Sequence, residues 1–268
     1  AVNVQANRRE QLRRQQEARA RAQVTRRIVG IVAVLIAAAL IGILVYAFVN
    51  RTPAQVAATP SASSTATTPL AAQVVPTGAS ADGNALVVAE GRAGTPTLTL
   101  YLDYQCPNCK SFEEAFGPML AQSAQAGDWT LQHKTMTFMD DNIGNTASTR
   151  AALGAACAAD AGHYLDYSTQ VYAHQAAAEV RGAEGYSDAL LRAELPAAVG
   201  ITGDALTAFQ ACYDGRATQD FVAGVNASAG ADGVRGTPTL AINGTPVDFN
   251  AVTPFTPDGL KAYILAHA

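Results

Sequence analysis

Residues 28–49, IVGIVAVLIAAALIGILVYAFV, run for 22 positions without a charge. As a helix rising 1.5 Å per residue, such a stretch spans roughly 33 Å, about the thickness of a bilayer's hydrocarbon core. A cleaved signal peptide usually carries an apolar core of only about 7–15 residues, so the length predicts an uncleaved transmembrane helix. Charge sets its direction. Residues 1–27 hold eight Arg and two Glu, a local +6, and since the whole chain sums to −4 the remainder carries −10. Basic flanks stay in the cytoplasm, which sends everything after Asn50 to the outer side. The Arg-rich run 8–27 reads as a basic cytoplasmic tail with some attraction to anionic lipid. A nucleic-acid binder would carry positive charge on its folded part, where this chain is acidic, so nucleic acid is excluded as a partner.

Residues 50–83 are rich in Ala, Thr, Ser and Pro with scarcely a charge. No apolar period runs through them, and their prolines break helix and strand alike, so they read as a flexible extracytoplasmic linker. The rest, 84–268, has the size of one domain. Strands are expected at 84–89 (NALVVA), 97–103 (TLTLYLD), 130–138 (TLQHKTMTF) and 239–242 (TLAI). Asn243-Gly244 is a hairpin signal that leads into a further strand at 245–249. A helix begins near Cys106 and passes Met119, with Gly117-Pro118 as a kink site. From about 145 to 231 nearly every stretch reads as helical, and a last helix covers 257–266. A helical block inserted into a mixed sheet is an α/β layout.

Cys106-Pro107-Asn108-Cys109 carries the chemistry. It follows a strand and opens a helix, so Cys106 lies where backbone N–H groups converge and the helix dipole favours negative charge. A free thiol has a pKa of about 8.5, and a helix start lowers it. A shift of ~3 units would stabilise the reduced thiolate by ~4 kcal/mol and make the disulfide more oxidising by roughly 90 mV. Pro107 suits the first helical turn, where its missing N–H has no partner to lose. On this reading Cys106 is the exposed nucleophile and Cys109, one turn inward, the resolving thiol. The alternatives are a passive structural disulfide or half of a zinc site, although zinc needs four ligands and no second CxxC is present. Cys157 and Cys212, 55 residues apart, remain. In an oxidising compartment an even cysteine count favours a bridge between them, and the alternative is two separate buried thiols.

Other candidates read blandly. His133, His163, His174 and His267 form no HxxxH or HExxH arrangement, so a metal hydrolase has no support. Trp129, Tyr101, Phe112, Phe116 and Phe138 read as core rather than substrate groove, while Tyr104 and Gln105 could line the rim of the site.

The strand LTLYLDYQ, the CPNC tetrapeptide, the helical block and Gly236-Thr237-Pro238-Thr239 before a strand together resemble the DsbA-like branch of the thioredoxin superfamily, over most of residues 84–268. The resemblance implies a thioredoxin-like α/β fold with an inserted helical domain, here preceded by one transmembrane helix. It implies that Pro238 is cis and lies beside Cys106, with the Thr237 backbone pairing with a bound peptide strand. It adds weight to a Cys157–Cys212 structural disulfide. Two positions depart from the commoner pattern. Where the superfamily often has a buried acid, six residues before the first Cys, this chain has Leu100; the nearest acid is Asp103, either a proton relay to Cys109 or a solvated residue at the strand end. Where many DsbA-like oxidases have His, this chain has Asn108.

The resulting expectation is a single-pass, membrane-anchored protein with an extracytoplasmic catalytic domain. It would donate the Cys106–Cys109 disulfide to reduced exported client proteins and be reoxidised by a membrane partner of the DsbB or vitamin K epoxide reductase type. No prosthetic group is required. The rival readings are a reductase or isomerase using the same site, and a chaperone or binding module whose CxxC is only structural.

Overall fold

The strand TLTLYL sits at the centre of the sheet, with Leu98, Leu100 and Leu102 on one face and Thr97, Thr99 and Tyr101 on the other. In the computed structural model, which describes residues 72–268, it is β2 (Thr97–Leu102), and all of it but Thr97 is buried. With β1 (Leu86–Ala89), β3 (Thr130–Thr135), β4 (Thr239–Ile242) and β5 (Thr245–Pro246) it forms a mixed sheet in the order β1-β3-β2-β4-β5. The expected tail, the transmembrane helix 28–49 and most of the linker lie outside the described residues. Among the described residues no helix is long and apolar enough to cross a membrane.

β2 and β3 pair in parallel, an arrangement that needs a crossover, supplied by α1 (Pro107–Gln125). β2 and β4 pair antiparallel, with Leu100 opposite Leu240 and Tyr101 opposite Thr239. That register decides where chemistry can occur. It sets the end of β2, which feeds Cys106, beside the start of β4, which follows Pro238.

Two expected strands are shorter than their sequence patterns. The third stops at Thr135 because Met136 leaves the ladder after donating its N–H to Leu102 O (2.6 Å), and the Thr137 N–H goes to the Asn226 side chain. The chain then enters α2 (Met139–Ile143). The fifth covers only Thr245–Pro246, with one further bond from Val247 N–H to Leu240 O (2.8 Å). A 3-10 turn follows at Phe249–Ala251, capped by the Asp248 carboxylate. The linker also ends earlier than expected. Val74 N–H donates to Ala217 O (2.8 Å), Thr77 N–H to Asp160 Oδ1 (2.7 Å), and the Gln73 side chain accepts from Asp220 N–H. The folded body therefore begins by Gln73, not at 84.

The helical block comprises α3 (Ala147–Asp160), α4 (Tyr164–Ala173), a π-helical turn Leu190–Glu194 running into α5 (Leu195–Ala198), α6 (Gly203–Asp214) and α7 (Gln219–Ala231). It is not helical throughout. Residues 174–187 form a loop, where Gly182 and Gly185 take positive φ (76° and 73°), and Asn145 Nδ2–H holds it by donating to Ala183 O. The chain closes with α8 (Pro257–Ala266), whose N-terminus is capped by Thr256.

α3 is the pillar of the block. Its sequence ASTRAALGAACAAD buries eleven of 14 residues, which only small side chains allow at such close helix approach. The Tyr167 hydroxyl donates to Leu191 O (2.8 Å) and passes so near Gly154 that a methyl group there would overlap it. Cys157 of α3 and Cys212 of α6 form a disulfide, with Cα atoms 5.9 Å apart, within the usual range for such bridges. Gly154→Ala is expected to destabilise the fold by about 1–3 kcal/mol, since the rigid Tyr167 ring must move. Thermal denaturation beside the parent chain measures the loss.

Candidate active site

β2 ends at Leu102, and a tight turn carries the chain into α1. Cys106 N–H donates to Asp103 O (3.0 Å), and the N–H groups of Cys109 and Lys110 return to Cys106 O (3.1 and 3.2 Å). Cys106 is thus the extended residue (φ −76°, ψ 117°) before the helix, with Pro107 in the first helical position. Its side chain accompanies the first free N–H groups of α1, where negative charge is favoured. Across from it the Thr237–Pro238 peptide is cis, and the Cys106 thiol donates to Thr237 O at 3.4 Å. A second cis peptide, Thr253–Pro254, has no sequence signal of its own.

The two thiols differ sharply. Cys106 is pulled down from 9.0 to about 6, chiefly by the Cys109 thiol donating to its sulfur. Burial opposes that effect, while the Thr237 hydroxyl and the N–H groups of Cys109 and Asn108 reinforce it. Cys109 is pushed far above the usual thiol range by burial and by the adjacent Cys106 sulfur. One proton therefore serves both sulfurs, and Cys109 holds it. At pH 7 a thiol of pKa about 6 is mostly thiolate, which favours the reduced form by about 1.4 kcal/mol, or ~30 mV. The full ~4 kcal/mol of a three-unit shift is reached only above the free-thiol pKa.

Cys106 is less exposed than its sequence position predicts. It keeps 6% of its surface, against none for Cys109. The reason is the Thr237-Pro238 turn laid against it. Pro107 and Asn108 remain exposed. Asn108, Thr237 and Pro238 form one end of an open groove of about 640 Å³, whose apolar walls are Phe112 and Phe116 of α1 with Phe249 and Phe255. Phe112 stacks toward Phe249 (centroids 5.4 Å) and Phe116 toward Phe255 (4.7 Å). Phe112 and Phe116, read from sequence as core, are both core and groove wall.

Asp103 is not a solvated residue at the strand end. It is fully buried. Its carboxylate accepts from Ser148 Oγ–H (2.6 Å), Gln105 N–H (2.9 Å) and Met139 N–H (3.1 Å). Burial outweighs those bonds and pushes its pKa up to about 7. Tyr104 and Gln105, placed at the rim by sequence, are buried too. Gln105 Nε2 donates toward Asp140, Asn145 and Ser148, tying the turn to the start of α3.

Residues the sequence gave no reason to select hold this turn from the other side. Tyr172 OH donates to Asp103 O (3.4 Å) and Tyr186 OH to Tyr104 O (2.6 Å). Gln175 Nε2 donates to Tyr104 O (2.8 Å) and Cys106 O (3.0 Å). All three lie in the helical block or its loop, with nothing local to mark them. The Thr237 hydroxyl is a further such group. It is buried with no hydrogen-bond partner within bonding distance, and its nearness lowers the pKa of both cysteines. The structure thus gathers Cys106, Pro107, Asn108, Cys109, Thr237 and Pro238 at one place, with Asp103 beneath them. Cys157 and Cys212 are joined to each other in the helical block.

Residues 89–265, more than half of the chain, match the pattern of the family described as thioredoxin. The chain belongs to the thioredoxin family. Among solved structures its fold is similar to MdbA, a thiol-disulfide oxidoreductase from Actinomyces oris, with a TM-score of 0.56 at 19% identity over 72% of this chain and 92% of that one. It is also similar to the reduced disulfide bond oxidoreductase DsbG from Mycobacterium tuberculosis, with a TM-score of 0.52 at 24% identity over 68% and 86%. BdbD from Bacillus subtilis, in its oxidised form, gives 0.51 at 20% over 72% and 96%. At these identities the likeness is one of fold. No curated protein sequence matches the chain.

Thiolate absorbance of the reduced protein is expected to titrate near pH 6, the Cys106 value. Thr237→Val keeps the shape of the side chain and removes its hydroxyl, so the midpoint is expected to move upward. An unmoved midpoint would remove Thr237 from the account.

Proposed function

We propose that this protein is a thiol-disulfide oxidoreductase that introduces disulfides into exported proteins through Cys106 and Cys109. The observation that carries the proposal is the placement of the two sulfurs: Cys106 at the mouth of α1 against the cis Thr237–Pro238 peptide, and Cys109 one turn inward with none of its surface exposed. That placement lowers the Cys106 pKa to about 6 and raises that of Cys109. A dithiol built this way gives up its disulfide readily, because its reduced form is the stabilised one.

The oxidised enzyme reacts in two displacements. A client thiolate enters the groove between Asn108 and the Thr237-Pro238 turn and attacks Cys106 Sγ in line with the sulfur–sulfur bond. That bond breaks, Cys109 leaves with the electron pair and takes up a proton, and a client–Cys106 disulfide remains. The client's second thiolate then attacks its own sulfur of that mixed disulfide. Cys106 departs as a thiolate, a good leaving group because its pKa is low. The client has lost two electrons and the enzyme has gained them. The exposed Phe255 and its partners Phe112, Phe116 and Phe249 offer the client apolar contact beside the reacting sulfur. The main chain of Thr237 offers it a backbone partner, in the manner of strand addition.

The proposed setting is extracytoplasmic, with residues 28–49 as a single membrane anchor and residues 1–27 in the cytoplasm. Reoxidation falls to a membrane partner of the DsbB or vitamin K epoxide reductase type. The solved structures of similar fold bear names of thiol-disulfide oxidoreductases, which supports the reaction class without fixing its direction.

Cys109→Ala removes the thiol that would expel a bound client. The variant is expected to accumulate client proteins as mixed disulfides on Cys106, seen as bands that collapse on reduction, and Cys106→Ser in the same background is expected to abolish them. Absence of any trapped species would leave the CPNC as a structural element only.

A further inference from the structure

Glu113 is a half-buried carboxyl group that the redox site does not use. It stands one turn beyond Cys109 on α1, on the flank opposite the aromatic groove. There α1 and α4 part to leave a cavity of about 220 Å³, walled by Leu165, Tyr172 and Ala173 of α4 and by Gly117 and Ala121 of α1. The walls are almost wholly apolar, and the Glu113 carboxylate stands among them. Its Oε1 is buried without a hydrogen-bond partner, and among the described residues nothing forms an ion pair with it. Its neighbour Glu114, by contrast, faces Lys110 at 3.9 Å. Gly117 packs beside it: a Cβ there would come within 2.8 Å of Glu113 Oε2.

A carboxylate without a partner in an apolar cavity is costly, and a cation with an apolar stem is the ligand that offsets that cost. Long basic side chains lay their methylenes on apolar surface and present charge at the tip, and the Tyr172 ring adds a face attractive to cations. Burial pushes the Glu113 carboxyl up to about 7, so at mildly alkaline pH it is ionised. We propose that this cavity is a binding site for an alkylammonium or alkylguanidinium group, its stem against Leu165 and Tyr172 and its charge on Glu113.

Two sources share that chemistry: a free amine, or a Lys or Arg of a bound polypeptide. Glu113 follows Cys106 by seven residues, about 10 Å along the helix axis, a span that about three extended residues cover. Because the cavity lies on the flank of α1 away from the groove, a client's basic residue reaches it only by a path that also rounds the helix, about 10 Å across, and this second source rests on the function proposed above.

The test is titration calorimetry at pH 8 on the full chain in a neutral detergent, with n-butylammonium, a capped lysine (N-acetyl-lysine methylamide) and the uncharged 1-butanol. The expected result is saturable binding of butylammonium, weakened at least about tenfold in Glu113→Gln, with no binding of 1-butanol. Ala173→Phe, at an exposed position on the cavity mouth, leaves the carboxylate in place and is expected to block binding by filling the space. Competition of the capped lysine with butylammonium assigns a polypeptide side chain as source; binding of butylammonium alone assigns a free amine. Absence of saturation in the parent chain, equal binding of 1-butanol, or affinity unchanged in both variants would overturn the site. Because the readout involves no thiol, Cys106→Ser is expected to bind the cation as the parent does. Failure here leaves the redox reading intact, and failure of client trapping leaves the cation site intact.

Discussion

Two sulfurs one helical turn apart compete for a single proton, and the rest of the structure decides the competition. Cys106 has the N–H groups at the mouth of α1, the Thr237 hydroxyl and the Cys109 thiol to stabilise its charge. For Cys109, burial and the neighbouring Cys106 sulfur outweigh the Thr237 hydroxyl and the Asp103 N–H. Neither condition is a property of the tetrapeptide alone. The first needs the helix to start where it does, with Pro107 in its first turn. The second needs α1 packed on the sheet and on the helical block. The antiparallel register of β2 and β4 then supplies Thr237, by bringing the start of one strand against the end of the other.

The helical block acts as a clamp on the turn 103–106. Tyr172, Gln175 and Tyr186 each donate to a main-chain carbonyl of that turn, and Ser148 at the start of α3 donates to the Asp103 carboxylate. A four-residue turn between strand and helix would otherwise be free to shift by fractions of an ångström, enough to change the hydrogen bonds on which the thiolate depends. The Asp103 carboxylate joins that clamp by accepting from Ser148, Gln105 and Met139. α3, rigid through its close packing and its disulfide to α6, carries that constraint to the edge of the domain.

Much of this was legible from residue patterns. Alternation and β-branched content located β2 and β4, the Asn243-Gly244 pair located the last hairpin, and the CPNC after a strand located the helix mouth. The resemblance gave the cis peptide at Pro238. What escaped has physical causes. The end of β3 depends on where the Met136 and Thr137 N–H groups find partners, which pattern does not reveal. The buttress of Tyr172, Gln175 and Tyr186 arises from pairs some 70–80 positions apart in sequence, beyond any local signal. Phe112 and Phe116 were read as core because apolar period cannot separate a buried face from the wall of a groove. The burial of Cys106 depends on how tightly the Thr237-Pro238 turn closes, and composition says nothing of that.

Above about pH 6 the reduced enzyme is expected to carry one proton on its two sulfurs, not two. The most direct test is the pH dependence of the Cys106–Cys109 reduction potential, from equilibration with glutathione. Each proton taken up with the electron pair contributes about 30 mV per pH unit. The slope is therefore predicted to fall from about 59 mV per unit below pH 6 to about 30 mV per unit above it. A slope that stays near 59 mV per unit through pH 8 would mean that Cys106 titrates as an ordinary thiol, and would contradict the account.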